Sequence, residues 1–241
     1  MDKQTELSNI FLTHYNSDKE VTEAKCPICD FLINDAQNRF IKSHSLFSVA
    51  DIIRITCPEC GTIFGPISIM NGSPEDLYNY YNILYQFYAE GNTLMYQIQT
   101  LGLLKPDKNK VYLNYACGKW EEGIEKVLSR GFDVYGYDPS FKSKCPKIIQ
   151  DNSLLRSKYD GLFSHNFIEH LQNPVNQFLE WNSLLNIGGE MIHSGQYAYN
   201  IPETNFHLIF LTEKALNILC KKTGFRLDSY SDVVCKFTKV S

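Results

Sequence analysis

An α/β fold with a parallel, doubly wound, Rossmann-like sheet, preceded by a small zinc-ribbon-like module and a helical connector, is predicted by three observations. The stretch Val111 to Ser140 reads VYLNYACGKWEEGIEKVLSRGFDVYGYDPS: an apolar strand, a tight turn at Cys117-Gly118, an amphipathic helix, Gly131 as a stop, and a strand ending on Asp138. That is one βαβ unit. Downstream, apolar strand-like runs continue to alternate with helical ones as far as Val240. Upstream stand two Cys-x-x-Cys pairs, Cys26/Cys29 and Cys57/Cys60. The expected division is 1–72 for the cysteine module, 73–106 for the connector and 107–241 for the α/β domain.

Totals agree with this. A chain of 241 residues holds one full α/β domain and a small appendage, and 44% apolar with 13% aromatic content supplies a core. No apolar run approaches the roughly 20 residues that span a bilayer, and MDKQTELSNIF lacks a basic-then-apolar signal. The expectation is a soluble, cytoplasmic protein without a membrane partner. Residues 1–105 carry 7 Lys/Arg against 12 Asp/Glu, and the remainder 16 against 15. An acidic N-terminal part argues against nucleic acid, which demands cations to displace phosphate counterions.

Taken in order, residues 1–24 form a polar lead-in with one amphipathic piece, Leu7 to Tyr15. Four thiolates in two knuckles close a tetrahedral Zn²⁺ site, and the β-prone pieces Leu46–Val49 and Ile52–Ile55 between them suit a ribbon. Four protein ligands leave no open position, so the metal is structural. His44, between the knuckles, is expected on the surface. Ser73-Pro74-Glu75-Asp76 starts a helix: a hydroxyl cap, proline in the first turn, and acids at the positive end. Tyr78, Tyr81, Tyr85 and Tyr88 then share one face, as a packing seam or as the wall of an acceptor pocket. A second helix covers Thr93 to Leu104, and Lys105-Pro106-Asp107 links it to the βαβ unit.

In a βαβ unit the turn after the first strand aims backbone N–H groups and a positive helix end at a ligand. An acid at the tip of the second strand takes the ribose hydroxyls. Asp138 follows Gly118 by 20 positions, the spacing of that fingerprint. Ala116 and Trp120 stand where glycine is preferred, and Asn114 where aspartate is common. Ile148–Gln150 makes a third strand, with Asp151 and Asn152 at its tip, and Tyr159–Ser164 a fourth, running into His165-Asn166-Phe167-Ile168-Glu169-His170. A helix from Val175 to Asn186 stops at Gly188-Gly189. Glu190–Ser194 is a fifth strand, a helix follows over Thr212–Lys222, and strands lie within Phe225–Tyr230 and Val233–Val240.

In this order the segments CPIC…CPECG, VYLNYACG…GYDPS, YDGLFSHNFIEHLQNP, LLNIGGEMIH and HLIFLTEKALNILCKKTGF resemble a class I S-adenosylmethionine-dependent methyltransferase, of the subgroup with an N-terminal four-cysteine zinc module. The resemblance spans nearly the whole chain. It implies that Tyr115, Ala116, Cys117 and Gly118 pass under the methionine part of the donor, and that Asp138 holds the ribose. Asp151 and Asn152 lie beside the adenine, and Ser164, His165 and Asn166 near the sulfonium. Removal of a proton from a hydroxyl acceptor suits an imidazole. His165 is the first candidate, His207 the second, with Glu169 and His170 beside them and His193 on a strand end. Some methyltransferases similar to this one bind a divalent ion through Glu and His of the corresponding stretch plus a later His, although here Asn166 or His165 replaces the first acid. The implied reaction is methylation of a small polar acceptor, a sugar or nucleotide-activated sugar of surface-carbohydrate or secondary-metabolite biosynthesis, with S-adenosylhomocysteine as product. Alternatives are an RNA methyltransferase gripping its substrate with the zinc module, and a non-catalytic binding protein of the same fold.

Overall fold

The computed structural model describes residues 3–45, 47, 49–89, 91–156, 158–195 and 205–241. In chain order the elements are α1 (Lys3–Asp18), β1 (Ala24–Lys25), β2 (Leu32–Ile33), β3 (Phe40–His44), β4 (Asp51–Thr56), β5 (Ile63–Phe64), α2 (Ile67–Met70), α3 (Pro74–Leu84) and α4 (Leu94–Leu103). The βαβ stretch is β6 (Val111–Tyr115), α5 (Glu121–Leu128) and β7 (Asp133–Tyr137). After it come β8 (Ile148–Ile149), β9 (Tyr159–His165), α6 (Pro174–Leu184), β10 (Leu185–Ser194), β11 (Ile209–Phe210), α7 (Glu213–Thr223), β12 (Phe225–Tyr230) and β13 (Val234–Lys239). Among the described residues no helix is long and apolar enough to cross a membrane.

Two compact units result, neither continuous in sequence. The cysteine unit takes Met1–Glu90, Ile168–Pro174 and Gln196–Leu219; the sheet unit takes Gly91–Phe167, Val175–Gly195 and Cys220–Ser241. The boundaries at 72/73 and 106/107 do not coincide with this division, for a physical reason. β11 pairs antiparallel with β5, Ile209 opposite Phe64, and so completes a four-stranded sheet, β11-β5-β4-β3, with strands far earlier in the chain. The helices α3 and α4 of the expected connector fall one to each unit.

In the sheet unit the strand order is β12-β13-β10-β9-β6-β7-β8. Counted within the sheet this is 6-7-5-4-1-2-3. β6 pairs in parallel with both β7 and β9, so the order reverses at β6. Ligands of open α/β sheets bind outside the carboxyl ends of the strands at such a switch point. β13 enters antiparallel between β10 and β12. One apolar core of this unit gathers Leu101, Trp120, Ile124, Val134 and Phe163. The cysteine unit has its own core, with Leu7, Phe11, Tyr80, Leu84, Phe206 and Leu208.

Three local expectations meet the structure in detail. Ser73 caps α3 through a reciprocal box: its Oγ accepts from the Asp76 N–H at 3.1 Å, and its own N–H donates to Asp76 Oδ2 at 2.8 Å. The helix expected to reach Asn186 ends at Leu184, because Leu185 is already paired with Tyr159 of β9. Of the β-prone run Leu46–Val49, Phe47 and Val49 lie in no strand, and Leu46 and Ser48 lie outside the described residues.

Candidate functional site

β6 delivers the chain to the loop Ala116–Trp120 at the switch point. Ala116 and Gly118 both take left-handed backbone, φ +56° and +60°, which explains why the fingerprint prefers glycine there and what alanine costs. Asp138, at the end of β7, is buried. Its Oδ2 accepts from the Gly118 N–H at 2.9 Å and its Oδ1 from the Ser140 N–H at 2.8 Å. A carboxylate has about four lone-pair sites. Two of them are aimed at these backbone donors.

The loop is supported from beneath by Asn114 and Gln97. Asn114 donates to Gln97 Oε1 at 2.5 Å, and Gln97 Nε2 donates to the Cys117 carbonyl at 3.3 Å. An aspartate at 114 would present a second acceptor to Gln97, so asparagine fits this support. The Cys117 thiol is buried under the loop against Gly136, whose absent side chain leaves it room. Burial, with Asp138 nearby, raises its pKa, and such a thiol is inert. Trp120 has only 1% exposure, edge-on to Phe163 at 5.8 Å. Its indole lies over Gly123, where a Cβ would come within 2.1 Å of Nε1. Trp120 is therefore a packing residue, and Gly123 is its counterpart.

The other residues assigned to the donor vary. Tyr115 turns its hydroxyl to Glu180 at 2.9 Å and Gln177 at 3.1 Å, among the rings of Tyr137, Phe167 and Trp181. Asp151 and Asn152 are exposed, and Asp151 accepts from the Ser153 N–H at 2.9 Å. Leu154, 67% exposed in the same turn, adds an apolar surface beside them. Ser164 is fully buried, its Oγ 2.5 Å from His193 Nδ1. Burial lowers the His193 pKa to about 3, and its ring stacks on Trp181 at 4.5 Å. His193 thus belongs to the interior rather than to the strand-end surface. His165 is half-buried at the end of β9, its Nδ1 2.8 Å from Ser194 Oγ. Asn166 next to it has φ +51° and donates its N–H to the Ser194 carbonyl at 2.8 Å.

In the cysteine unit, one donor atom from each of Glu169, His170 and His207 lies within 4.8 Å of the others. The Leu208 N–H donates to the Glu169 carbonyl at 2.7 Å, which ties the turn Ile168–His170 to the entry of β11. His170 Nδ1 is 2.8 Å from the Phe206 carbonyl. A carbonyl only accepts, so Nδ1 carries the proton and Nε2 the lone pair. His207 is buried, and among the described residues its Nδ1 has no hydrogen-bond partner; burial, then His170 and Arg54, lower its pKa to about 2. Arg54, also buried, donates to the His207 carbonyl at 2.9 Å and lies 5.1 Å over the Phe210 ring. Phe206 collects the tyrosine face: Tyr81 stacks on it at 6.1 Å, and Tyr85 and Tyr88 lie 5.1 and 5.0 Å away. Tyr78 is apart, 59% exposed.

The four paired cysteines form a second group within 4.8 Å. Cys26 and Cys60 sulfurs are 3.6 Å apart, Cys29 and Cys57 3.5 Å. A zinc tetrahedron with Zn–S of about 2.3 Å has edges of about 3.8 Å, so the spacing fits. Both knuckles have the same build: the residue after the second cysteine, Asp30 or Gly61, takes φ +63° or +74°, and its N–H donates to the carbonyl of the first cysteine. Hydrogen bonding from Cys26, opposed by burial and helped by Thr62, holds the Cys60 thiol below its ordinary pKa. His44 is on the surface, bonded to Asp51 at 2.8 Å.

No protein-family model matches this chain, and no curated protein matches it. Solved structures do. The chain is similar to 1,6-didemethyltoxoflavin-N1-methyltransferase of Burkholderia thailandensis, solved with 1,6-didemethyltoxoflavin and S-adenosylhomocysteine, at 14% identity and a TM-score of 0.52, over 79% of this chain and 96% of that one. It is also similar to a TehB-like SAM-dependent methyltransferase of Corynebacterium glutamicum, at 17% identity and a TM-score of 0.44, over 69% and 100%. The chain has the class I S-adenosylmethionine-dependent methyltransferase fold, with a cysteine cluster able to bind a metal.

Proposed function

We propose that this chain transfers a methyl group from S-adenosylmethionine to a hydroxyl of a small polar acceptor, with sugars and nucleotide-activated sugars as the acceptor class. The observation that carries the reading is Asp138, bonded to the Gly118 N–H at 2.9 Å at the tip of the strand next to the switch point. S-adenosylmethionine has no pyrophosphate and needs fewer glycines under it, which makes Ala116 acceptable. The donor's sulfonium supplies the driving force of an in-line displacement when bound. The protein must hold the acceptor in line and accept a proton from it. His165 in the sheet unit is the first candidate for that proton. The neutral His207 with His170 and Glu169 in the cysteine unit is the second. The tyrosine face around Phe206 supports a sugar, whose faces stack on aromatic rings, and the acidic N-terminal part disfavours RNA. Zinc at Cys26, Cys29, Cys57 and Cys60 has a structural role.

Calorimetry tests the donor half: micromolar binding of S-adenosylmethionine, displaced by S-adenosylhomocysteine, is expected. Absence of binding at millimolar donor would favour the non-catalytic alternative. Product release of S-adenosylhomocysteine across a panel of sugar nucleotides tests the acceptor half. Binding of tRNA or rRNA fragments at moderate salt would turn the reading toward RNA.

One observation favours a variant in which a divalent ion at Glu169, His170 and His207 activates the hydroxyl: their donor atoms converge within 4.8 Å. The positive charge of the nearby Arg54 opposes it. Metal analysis decides, because one equivalent of zinc with no response to Mg²⁺ or Mn²⁺ would sink the variant.

A further inference from the structure

We infer that a hydrogen-bond relay running from α4 through β10 fixes the tautomer of His165, making Nε2 its proton-accepting atom, so that Ser194 and Thr100 are positioning residues for the transfer. The inference rests on the reading of this chain as a methyltransferase with His165 as base.

The relay can be followed proton by proton. Thr100 sits one helical turn after Tyr96 on α4, and its Oγ1 donates to the Tyr96 carbonyl at 2.8 Å. A carbonyl cannot donate, so the single proton of Thr100 is used there. Thr100 Oγ1 also lies 2.5 Å from Ser194 Oγ. With its own proton committed, Thr100 accepts in this bond and Ser194 donates. Ser194 Oγ in turn lies 2.8 Å from His165 Nδ1. Its proton is spent on Thr100, so it accepts from Nδ1–H. A neutral imidazole carries one N–H, and the lone pair is therefore on Nε2.

Three features hold this arrangement. Ser194 faces His165 directly in the parallel register of β10 and β9. Thr100 is buried, which shields the relay from water. The Tyr96 ring, itself 58% exposed, stacks on the imidazole at 5.4 Å and 10°, and so fixes the ring plane. An exposed tyrosine in that place has a purpose if the imidazole it covers must keep one orientation.

Long-range ¹H–¹⁵N spectra of the zinc-loaded, ¹⁵N-histidine-labelled full chain at pH 8 read the tautomer directly. The expected result for His165 is a protonated Nδ1 and a pyridine-like Nε2. Thr100→Val keeps the shape but removes the acceptor of the Ser194 proton, which then turns to Nδ1. Its His165 signal is expected to move toward the Nε2–H form, with kcat about 10-fold lower, within the typical worth of a positioned base, and the donor KM unchanged. Thr100→Ser restores both. An Nε2–H tautomer in the wild type overturns the relay while leaving donor binding and turnover as evidence for the methyltransferase reading. His165→Gln with full turnover and an unaltered wild-type tautomer overturns the catalytic part alone.

Discussion

The two units solve the problem of a stable interior in opposite ways. The sheet unit is held by steric fit: Trp120 over Gly123, Cys117 against Gly136, and a core of Leu101, Ile124, Val134 and Phe163. The cysteine unit depends on point chemistry. It buries Asp18, Arg54, Glu169 and His207 and brings four thiols into one tetrahedron-sized cluster. The strands of its four-stranded sheet are short, two to six residues each, and bonds from the four thiols to a metal would add to what its apolar core supplies. The sheet unit also buries polar groups, but bonds them in pairs, Asn114 to Gln97 and Ser164 to His193.

If this contrast is right, perturbations should separate cleanly. Chelation of the metal, or Cys57→Ser, is expected to have the largest effect, since structural zinc contributes on the order of 10 kcal/mol at such sites. The melting temperature should fall by more than about 10 °C, and a zinc-free protein with unchanged melting would break the comparison at its root. Asp138→Ala comes next. Losing charged hydrogen bonds worth about 1.5–3 kcal/mol each should weaken donor binding ~100-fold or more by calorimetry, and an unchanged affinity would mean that the ribose reading is wrong.

Asp18 sharpens the comparison through pH. Burial, partly offset by hydrogen bonds from Ser68, raises its carboxyl pKa to about 6. A folded-state pKa above the unfolded one gives a contribution that is full below about pH 4 and lost as pH rises through about 6. Asp18→Asn keeps an acceptor for the Ser68 N–H and removes the charge. It should raise stability at pH 7 by about 2 kcal/mol and flatten the urea-midpoint profile between pH 4 and 6; an identical profile would deny the buried charge its role.

The sheet unit answers to volume instead. Gly123→Ala should cost about 1–3 kcal/mol, although alanine is the better helix former by about 1 kcal/mol. Trp120→Phe in the same chain should recover part of that loss in urea unfolding, and additive effects would remove the steric account. The smallest effect belongs to Ala116→Gly. Relief of left-handed strain of roughly 1–2 kcal/mol is partly cancelled by the freedom glycine gains when unfolded, leaving a gain of about 0.5 kcal/mol in the unfolding midpoint.

Much of this was legible in the chain itself. The knuckles, the Ser73 box, the βαβ unit and the spacing from Gly118 to Asp138 are local patterns, and their residues interact within a turn or across one strand–helix–strand step. Gly123, three positions after Trp120, was legible on the same grounds and explains the residue that the motif alone made anomalous. His193 lies one position short of the end of β10, where the strand-end expectation put it, and the alternating face of β10 turns its ring inward beside Trp181.

The sequence by itself determined the two cysteine knuckles, the cap of α3, the βαβ unit and the acid that follows β7, because these patterns are carried by neighbours. Only the tertiary structure decided that β11 joins the sheet of the cysteine unit and that Phe206 gathers Tyr81, Tyr85 and Tyr88. It alone brought His207 to Glu169 and His170, and set Ser194 opposite His165. Those pairings depend on which strand edges meet across tens of residues. No spacing along the chain encodes that choice; burial of the shared apolar faces makes it.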